Sequence, residues 1–113
     1  MPRDSATILD LLAAADAIAA FTAGLDRVAF LEDAKTQAAV LYELAVLGEA
    51  AKRLSPAFRA RHSGIPWKQI AGMRDHLIHG YDSVDQDDVW DATRGDVPAL
   101  RLYLETVDRG EEG

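Results

Sequence analysis

The sequence contains no cysteine, few aromatic residues and no long uncharged run. Without cysteine, the chain has neither disulfides nor a thiolate metal site, which suits a reducing compartment. The longest uncharged run covers nine residues, 17–25, whereas a membrane span needs about 20 apolar residues. The first residues, M-P-R-D-S, are not followed by the apolar core of a signal peptide. These absences predict a soluble, cytoplasmic protein that does not associate with a membrane.

What the sequence does contain favours helices. Aromatic residues account for 7% and all hydrophobic residues for 49%, and many of the latter are alanine and leucine. This composition is typical of close-packed helices rather than strands. A length of 113 residues is enough for one domain and too short for two ordinary ones. We therefore predict a single all-α domain over residues 1–113.

Apolar residues at helical spacing predict a bundle of four main helices, with short helical turns between some of them. Phe30 and Leu31, in the connector after the first helix, are expected to anchor it in the core. In the second helix, Ala45, Gly48, Ala50 and Ala51 are small enough to permit close helix contact. The predicted elements are a helix from an N-cap at Ser5 to Gly24, a helix from about Asp33 to Leu54, turns over 56–62, a helix from Pro66 to Gly80, and a last helix capped by Asp85 and kinked or divided at Pro98.

Charge is distributed unevenly along the chain. The net charge is −7, which alone argues against a polyanionic partner. Residues 52–81, however, contain six Lys or Arg, one acidic residue and all three histidines, so this segment carries +5 and the remainder −12. Such asymmetry indicates a local anion-binding face on an acidic body.

The stretch R-D-H-L-I-H-G-Y, residues 74–81, is the strongest candidate for chemistry, since phosphate-binding glycine loops and serine-hydrolase or zinc-protease motifs are missing. Histidine exchanges protons near neutral pH, and arginine binds phosphate oxygens with a planar fork. Together they suffice for RNA cleavage without a metal. One group takes the proton of a ribose 2′-hydroxyl, arginine stabilises the phosphoryl charge, and a histidine protonates the leaving oxygen.

The spacing within this stretch restricts the geometry. Asp75 and His79 are four residues apart, so on a helix the carboxylate could orient the imidazole. Arg74 and His79 are five apart, which places them about 140° apart around a regular helix. Either the helix ends or distorts near His79, or two chains assemble the site across a two-fold axis.

Simpler interpretations of the same residues remain open. Arg74 could pair with Asp75 or with a neighbouring glutamate, as surface arginines usually do. His76 and His79 could be ordinary surface or core histidines, and Tyr81 a packing residue. Asp75, His76 and His79 could also ligate a divalent metal, although only the distant His62 is available to complete such a site.

The spacing Arg74-x4-His79-x-Tyr81 resembles the R-x4-H-x-Y motif of the HEPN superfamily, and more narrowly the HepT toxins of HepT/MntA toxin–antitoxin pairs. The resemblance extends over nearly the whole chain. It rests on the blocks T-A-G-L-D (22–26), F-L-E-D (30–33), G-E-A-A-K-R-L-S-P (48–56), I-P-W-K-Q-I-A-G-M-R-D-H-L-I-H-G-Y (65–81), V-D (84–85) and V-W-D (89–91).

This resemblance implies a HEPN-like helical homodimer whose two motif segments face a shared cleft. It implies a metal-independent endoribonuclease toxin of a type VII-like system, acting on tRNA or mRNA without a cofactor. Arg74 and His79 would be catalytic, supported by Asp75 and His76. A MntA-like nucleotidyltransferase antitoxin would use ATP to transfer AMP to Tyr81. The candidates for RNA binding are Lys52, Arg53, Arg59, Arg61 and Lys68.

The alternative to this function is a HEPN module without catalysis, which only binds a nucleotide or a nucleotidyltransferase. The presence of both Arg74 and His79 favours catalysis, since many HEPN-like proteins lack them. Nucleotidyltransferase motifs are missing from the chain, so the enzyme that adds AMP would have to be a separate protein.

Overall fold

The computed structural model describes residues 2–80 and 84–110, with side chains throughout except at positions 2, 3, 78 and 79. Over these ranges the chain forms seven α-helices and no β-strand, which confirms the predicted all-α class. The helices are α1 (Pro2–Thr22), α2 (Arg27–Leu31), α3 (Ala34–Arg53), α4 (Pro56–Arg61), α5 (Trp67–His79), α6 (Gln86–Arg94) and α7 (Asp96–Asp108).

Helix α3 lies at the centre of the bundle. It packs against α1 on one side and α5 on another, while α7 packs against α1 and α6. One face of α3 and its C-cap is buried and supplies much of the core, namely Leu41, Leu44, Gly48, Ala51 and Leu54. Because α3 carries residues of both the core and the predicted basic segment, its packing against α5 positions the candidate site.

Several predicted helix ends are confirmed by capping contacts. Asp33 caps α3, where its carboxylate accepts a hydrogen bond of 3.0 Å from the Thr36 amide. Asp85 caps α6 in the same way, through the amide of Asp87 at 2.9 Å. Gly24 follows α1 with a φ of 78°, the left-handed conformation that glycine adopts without strain.

The predicted N-cap of the first helix is wrong. The helix begins at Pro2, a residue suited to a first helical position, so Ser5 lies inside it. The neighbouring Asp4 is buried, and its carboxylate accepts hydrogen bonds from the amide and hydroxyl of Ser55, at 2.9 and 2.6 Å. Burial alone would raise the pKa of Asp4, but the hydrogen bonds from Ser55 outweigh it and lower that pKa. This contact ties the start of α1 to the cap of α4.

Two further predictions need correction. Phe30 is fully buried against Trp90, but Leu31 is 37% exposed, because consecutive side chains on a helix lie about 100° apart and do not face the same core. The last helix is divided as predicted, but at Gly95 rather than Pro98. Pro98 is the third residue of α7. Amides in the first turn of a helix have no intrahelical acceptor, so a proline at this position costs the helix no hydrogen bond.

Helix α1 also bears on the predicted absence of a membrane span. From Asp4 to Thr22 it is long and apolar enough to cross a membrane by length and composition. Its residues Leu11 and Ile18 are fully buried, however, and the helix packs against both α3 and α7. A buried helix of a globular protein has the same apolar composition as a membrane span, so the composition of α1 fits both.

Candidate active site

Gly48 lies at a close crossing of α3 and α5. A β-carbon built on Gly48 would lie 2.9 Å from the carbonyl oxygen of Ile70 and 3.0 Å from the backbone nitrogen of Arg74. Real β-carbons essentially never show the first distance, and the second is tighter than nine in ten of their contacts, so glycine suits this crossing and a larger residue would force the helices to shift. The predicted role of small residues in α3 is therefore confirmed here, and the consequence is that Arg74 lies directly over α3.

Arg74 is held by carboxylates from both helices. Its Nε lies 2.6 Å from Oε2 of Glu49, and its Nη1 lies 3.3 Å from Oδ1 of Asp75. The same Asp75 oxygen accepts a hydrogen bond of 2.8 Å from Nζ of Lys52. The side chains form a chain of alternating charge, Glu49–Arg74–Asp75–Lys52, across the groove between α3 and α5.

This chain of charges orients Arg74 more than it stabilises the fold. Its four side chains are between 36% and 53% exposed, and exposed ion pairs contribute little to folding. The hydrogen bond from Lys52 holds the pKa of Asp75 below its usual value, so the carboxylate stays charged. Nε and Nη1 of Arg74 are engaged, which leaves Nη2, without a polar partner among the described residues, to meet a phosphate.

Sequence reasoning did not single out Glu49. It lies 25 positions before Arg74, and only the crossing at Gly48 brings the two together. The available signal was its spacing of three residues from Lys52, which places both on one face of α3. The simpler interpretation of Arg74, pairing with Asp75 and a glutamate, does describe its contacts within one chain.

The histidine half of the motif lies at the end of α5. The helix continues through His79, and the Gly80 amide donates a hydrogen bond of 2.7 Å to the His76 carbonyl. Positions 74 and 79 therefore keep their separation of about 140°. The His79 side chain and all of Tyr81 lie outside the described residues. His76 is exposed and lines an apolar cavity of about 370 Å³ with Met73 and Val84.

The structure separates the five predicted RNA-binding residues into two sets. Lys52, Arg59 and Lys68 line one open groove of about 660 Å³ between the end of α3, α4 and the start of α5. Arg53 points elsewhere, toward Asp10 of α1, with 3.2 Å between Nη2 and Oδ2. Arg61 lies over the ring of Phe58, 5.8 Å from its centroid. The basic segment therefore does not form a single face.

His62 has a packing role in this arrangement. It is buried, stacks on Phe58 with 4.3 Å between ring centroids, and places Nδ1 2.5 Å from the Tyr103 hydroxyl. Among the described residues, no three His, Asp or Glu side chains come together as metal ligands. The alternative metal set of Asp75, His76 and His79 includes one side chain outside that description.

Comparison with known proteins identifies the family. Residues 11–107 match the family described as ribonuclease HepT-like. The chain is 40% identical over 98 residues to a probable ribonuclease HepT of Thermococcus cleftensis, covering 87% of this chain and 89% of the relative. It is 35% identical over 102 residues to a putative RNase of Methanocaldococcus jannaschii, covering 90% and 88%. No solved structure matches the chain significantly. With most of its length matched by the family and by these relatives, this chain is a member of the HepT-like ribonuclease family.

Proposed function

We propose that this protein is an endoribonuclease toxin that cleaves RNA without a metal. The observation that carries the proposal is the placement of Arg74, held by Glu49 and Asp75 on an accessible helix crossing, in a chain whose relatives are named ribonucleases. The Arg74 side chain is 36% exposed, so a phosphate can reach it. Arginine with a preset orientation binds phosphoryl oxygens without first having to be ordered.

The proposed reaction uses the nucleophile that RNA carries within itself. A base takes the proton of the 2′-hydroxyl, the 2′-oxygen bonds to the adjacent phosphorus, and the bond to the 5′-oxygen breaks. His79 gives a proton to the departing 5′-oxygen, and Arg74 stabilises the charge on the phosphoryl oxygens. The products are a 2′,3′-cyclic phosphate and a free 5′-hydroxyl, with neither oxidant nor water consumed in this step.

The geometry of α5 supports a site built from two subunits. Helix α5 does end near His79, with Gly80 as its C-cap, but it is helical up to that residue, so the backbone positions 74 and 79 stay about 140° apart. A two-fold dimer removes the difficulty, since Arg74 of one subunit can face His79 of the other. We propose a homodimer of this kind.

The first prediction concerns cleavage itself. Protein prepared without a nucleotidyltransferase should cleave tRNA or mRNA in the presence of EDTA and leave 2′,3′-cyclic phosphate ends. His79→Ala should be at least about 100-fold slower, the usual size of a general acid–base contribution. An RNA with 2′-deoxyribose at the mapped site should resist, because it lacks the nucleophile. End-group analysis and gel electrophoresis would measure these effects.

Two results would contradict this prediction. Equal cleavage by wild type and His79→Ala would assign the activity to a contaminant, and loss of activity with EDTA would favour a metal site. The ion pairs of Arg74 also fit a second candidate, a non-catalytic binding module in which that residue only joins α3 to α5. Growth inhibition that survives in an Arg74→Ala/His79→Ala variant would favour this candidate.

We further propose that a MntA-like nucleotidyltransferase silences the toxin at Tyr81, which lies outside the described residues. The tyrosine oxygen would attack the α-phosphorus of ATP, and pyrophosphate would leave. AMP two residues from His79 would add bulk and negative charge where the RNA phosphate must bind, so steric exclusion and like-charge repulsion would inhibit cleavage.

The second prediction tests this regulation by intact-mass spectrometry. Protein produced together with the nucleotidyltransferase should gain one or more AMP increments that map to Tyr81. Tyr81→Phe, which keeps the ring and removes only the acceptor oxygen, should gain none and should remain toxic. Neutralisation of wild-type toxin that carries no AMP would instead show that the partner acts by binding alone.

A further inference from the structure

The groove beside the candidate active site carries more positive charge than its surroundings neutralise. We call it the basic groove; it is lined by Lys52, Pro56, Arg59, Trp67, Lys68, Ala71, Gly72 and Asp75. Lys52 is paired with Asp75. Within the described part of the chain, Arg59 and Lys68 form no ion pair, so the groove presents two uncompensated cations. In a protein of net charge −7, such a concave cationic surface favours an anionic ligand.

The basic groove is continuous with the position of Arg74. Asp75 lines the groove and also contacts Nη1 of Arg74, so the two sites share one residue. Lys68 precedes Asp75 by seven residues, which is two turns, or about 10.5 Å, along the same face of α5. A strand whose phosphate lies at Arg74 can therefore continue along α5 toward Lys68 and Arg59.

The walls of the basic groove offer positive charge but no exposed aromatic ring on which a base could stack. Its one aromatic residue, Trp67, is only 6% exposed and donates its indole N–H to the His62 carbonyl, so its ring face is not available for stacking. Proteins that recognise the sequence of single-stranded RNA stack its bases on exposed side-chain planes, most often aromatic rings, and hydrogen-bond the base edges, whereas phosphate contacts carry no sequence information. Pro56, Ala71 and Gly72 provide no hydrogen-bonding side chain.

We infer that the basic groove binds the RNA backbone on one side of the scissile phosphate, through Arg59 and Lys68, without regard to base sequence. This inference rests on the proposed ribonuclease function and extends it. It assigns these two residues to substrate binding and not to the chemical step. It also separates them from Arg53 and Arg61, which the charge pattern along the chain does not distinguish from them.

The third prediction compares variants of equal charge. Lys68→Gln and Arg59→Gln should each raise KM for RNA about two- to fivefold, the size of one exposed ion pair, and leave kcat unchanged. Each should also reduce the slope of log(kcat/KM) against log salt concentration by about 0.7, the value for one phosphate contact on a single strand. Poly(U) and poly(A) segments placed beside one cleavage site should show the same change.

Lys35→Gln is the matched control. Lys35 is the second residue of α3, as Lys68 is of α5, and both are exposed. It lies 17 positions before Lys52, about 25 Å along α3, so its replacement changes net charge equally but not the groove. Lys35→Gln should keep the wild-type KM and salt slope.

Binding to an RNA with 2′-O-methyl groups, followed by fluorescence anisotropy, separates this inference from the proposed function. Weaker binding and a smaller salt slope in the groove variants would support the inference even if no RNA were cleaved. Salt slopes equal to that of Lys35→Gln would overturn it, even if wild type cleaves efficiently. An effect confined to either poly(U) or poly(A) would overturn the claim of sequence independence.

Discussion

Mixing Arg74→Ala and His79→Ala subunits, each inactive alone, should restore RNA cleavage. In a mixed dimer, the intact Arg74 of one subunit meets the intact His79 of the other. If each dimer contains two such pairs and subunits exchange randomly, about a quarter of the wild-type activity should return, since half the dimers are mixed and each has one complete pair. Cleavage rate after refolding the mixture, with mixed dimers counted by native mass spectrometry, is the measurement.

The expected loss in each single variant makes this recovery easy to see. Removing a group that stabilises charge in the transition state usually lowers kcat about 100- to 1,000-fold. Arg74→Ala also removes the cation that pairs with Glu49 and leaves Asp75 with Lys52 alone, so the site becomes more negative and further repels an RNA phosphate. Arg74→Lys should recover little, because an ammonium group cannot reproduce the planar fork.

The control is to mix each variant with itself under the same conditions, which should give no activity. Mixed dimers that form in the expected amount but stay inactive would place Arg74 and His79 of one chain in the same site. That result would contradict the argument from the 140° separation on α5. It would leave the ribonuclease activity of the wild type intact, so the two questions can be answered separately.

Gly48→Ala should damage both stability and activity. The added β-carbon would meet the Ile70 carbonyl at 2.9 Å and the Arg74 backbone at 3.0 Å, so α5 must move away from α3. Overpacking of this kind costs about 1–3 kcal/mol of unfolding free energy, against a gain of up to about 1 kcal/mol in helix propensity. The displacement also moves Arg74 away from Glu49. The cleavage rate should therefore fall even at temperatures where the variant is fully folded.

Gly72→Ala is the control for this prediction. Gly72 lies within α5, but a β-carbon there has nothing within 4 Å. Replacement by alanine should therefore stabilise the protein by about 0.5–1 kcal/mol, through helix propensity alone. Thermal unfolding of both variants measures the contrast, and a Gly48→Ala protein as stable as Gly72→Ala would show that the crossing can relax without cost.

Local chemistry made much of the fold predictable. Apolar periodicity and the cap at Asp33 predict α3 to within one residue at each end, because both signals lie within or next to the helix. Prediction is wrong where two local signals compete. Ser5 is a good cap, but Pro2 begins the helix earlier, and Pro98 is a helix breaker that a first turn tolerates once Gly95 ends the preceding helix.

The candidate site was predictable only in part. The motif Arg74-x4-His79-x-Tyr81 is contiguous, so it can be read directly, and its spacing leaves two alternatives, a helix end near His79 or a second subunit. The roles of His79 and Tyr81 remain predictions, since the side chain of one and the whole of the other lie outside the described residues. Glu49 was missed because its contact with Arg74 joins residues 25 positions apart.

The sequence by itself determined the helical class, most helix boundaries, the family and the residues that could carry the chemistry. All of these depend on residues close together in the chain or on the order of residue types. Only the tertiary structure decided that Glu49 and Asp75 hold Arg74, and that Arg59 and Lys68 share a groove from which Arg53 is absent. The physical reason is the crossing at Gly48: the distance at which two helices pack decides which side chains meet, and that depends on residues far apart in the chain.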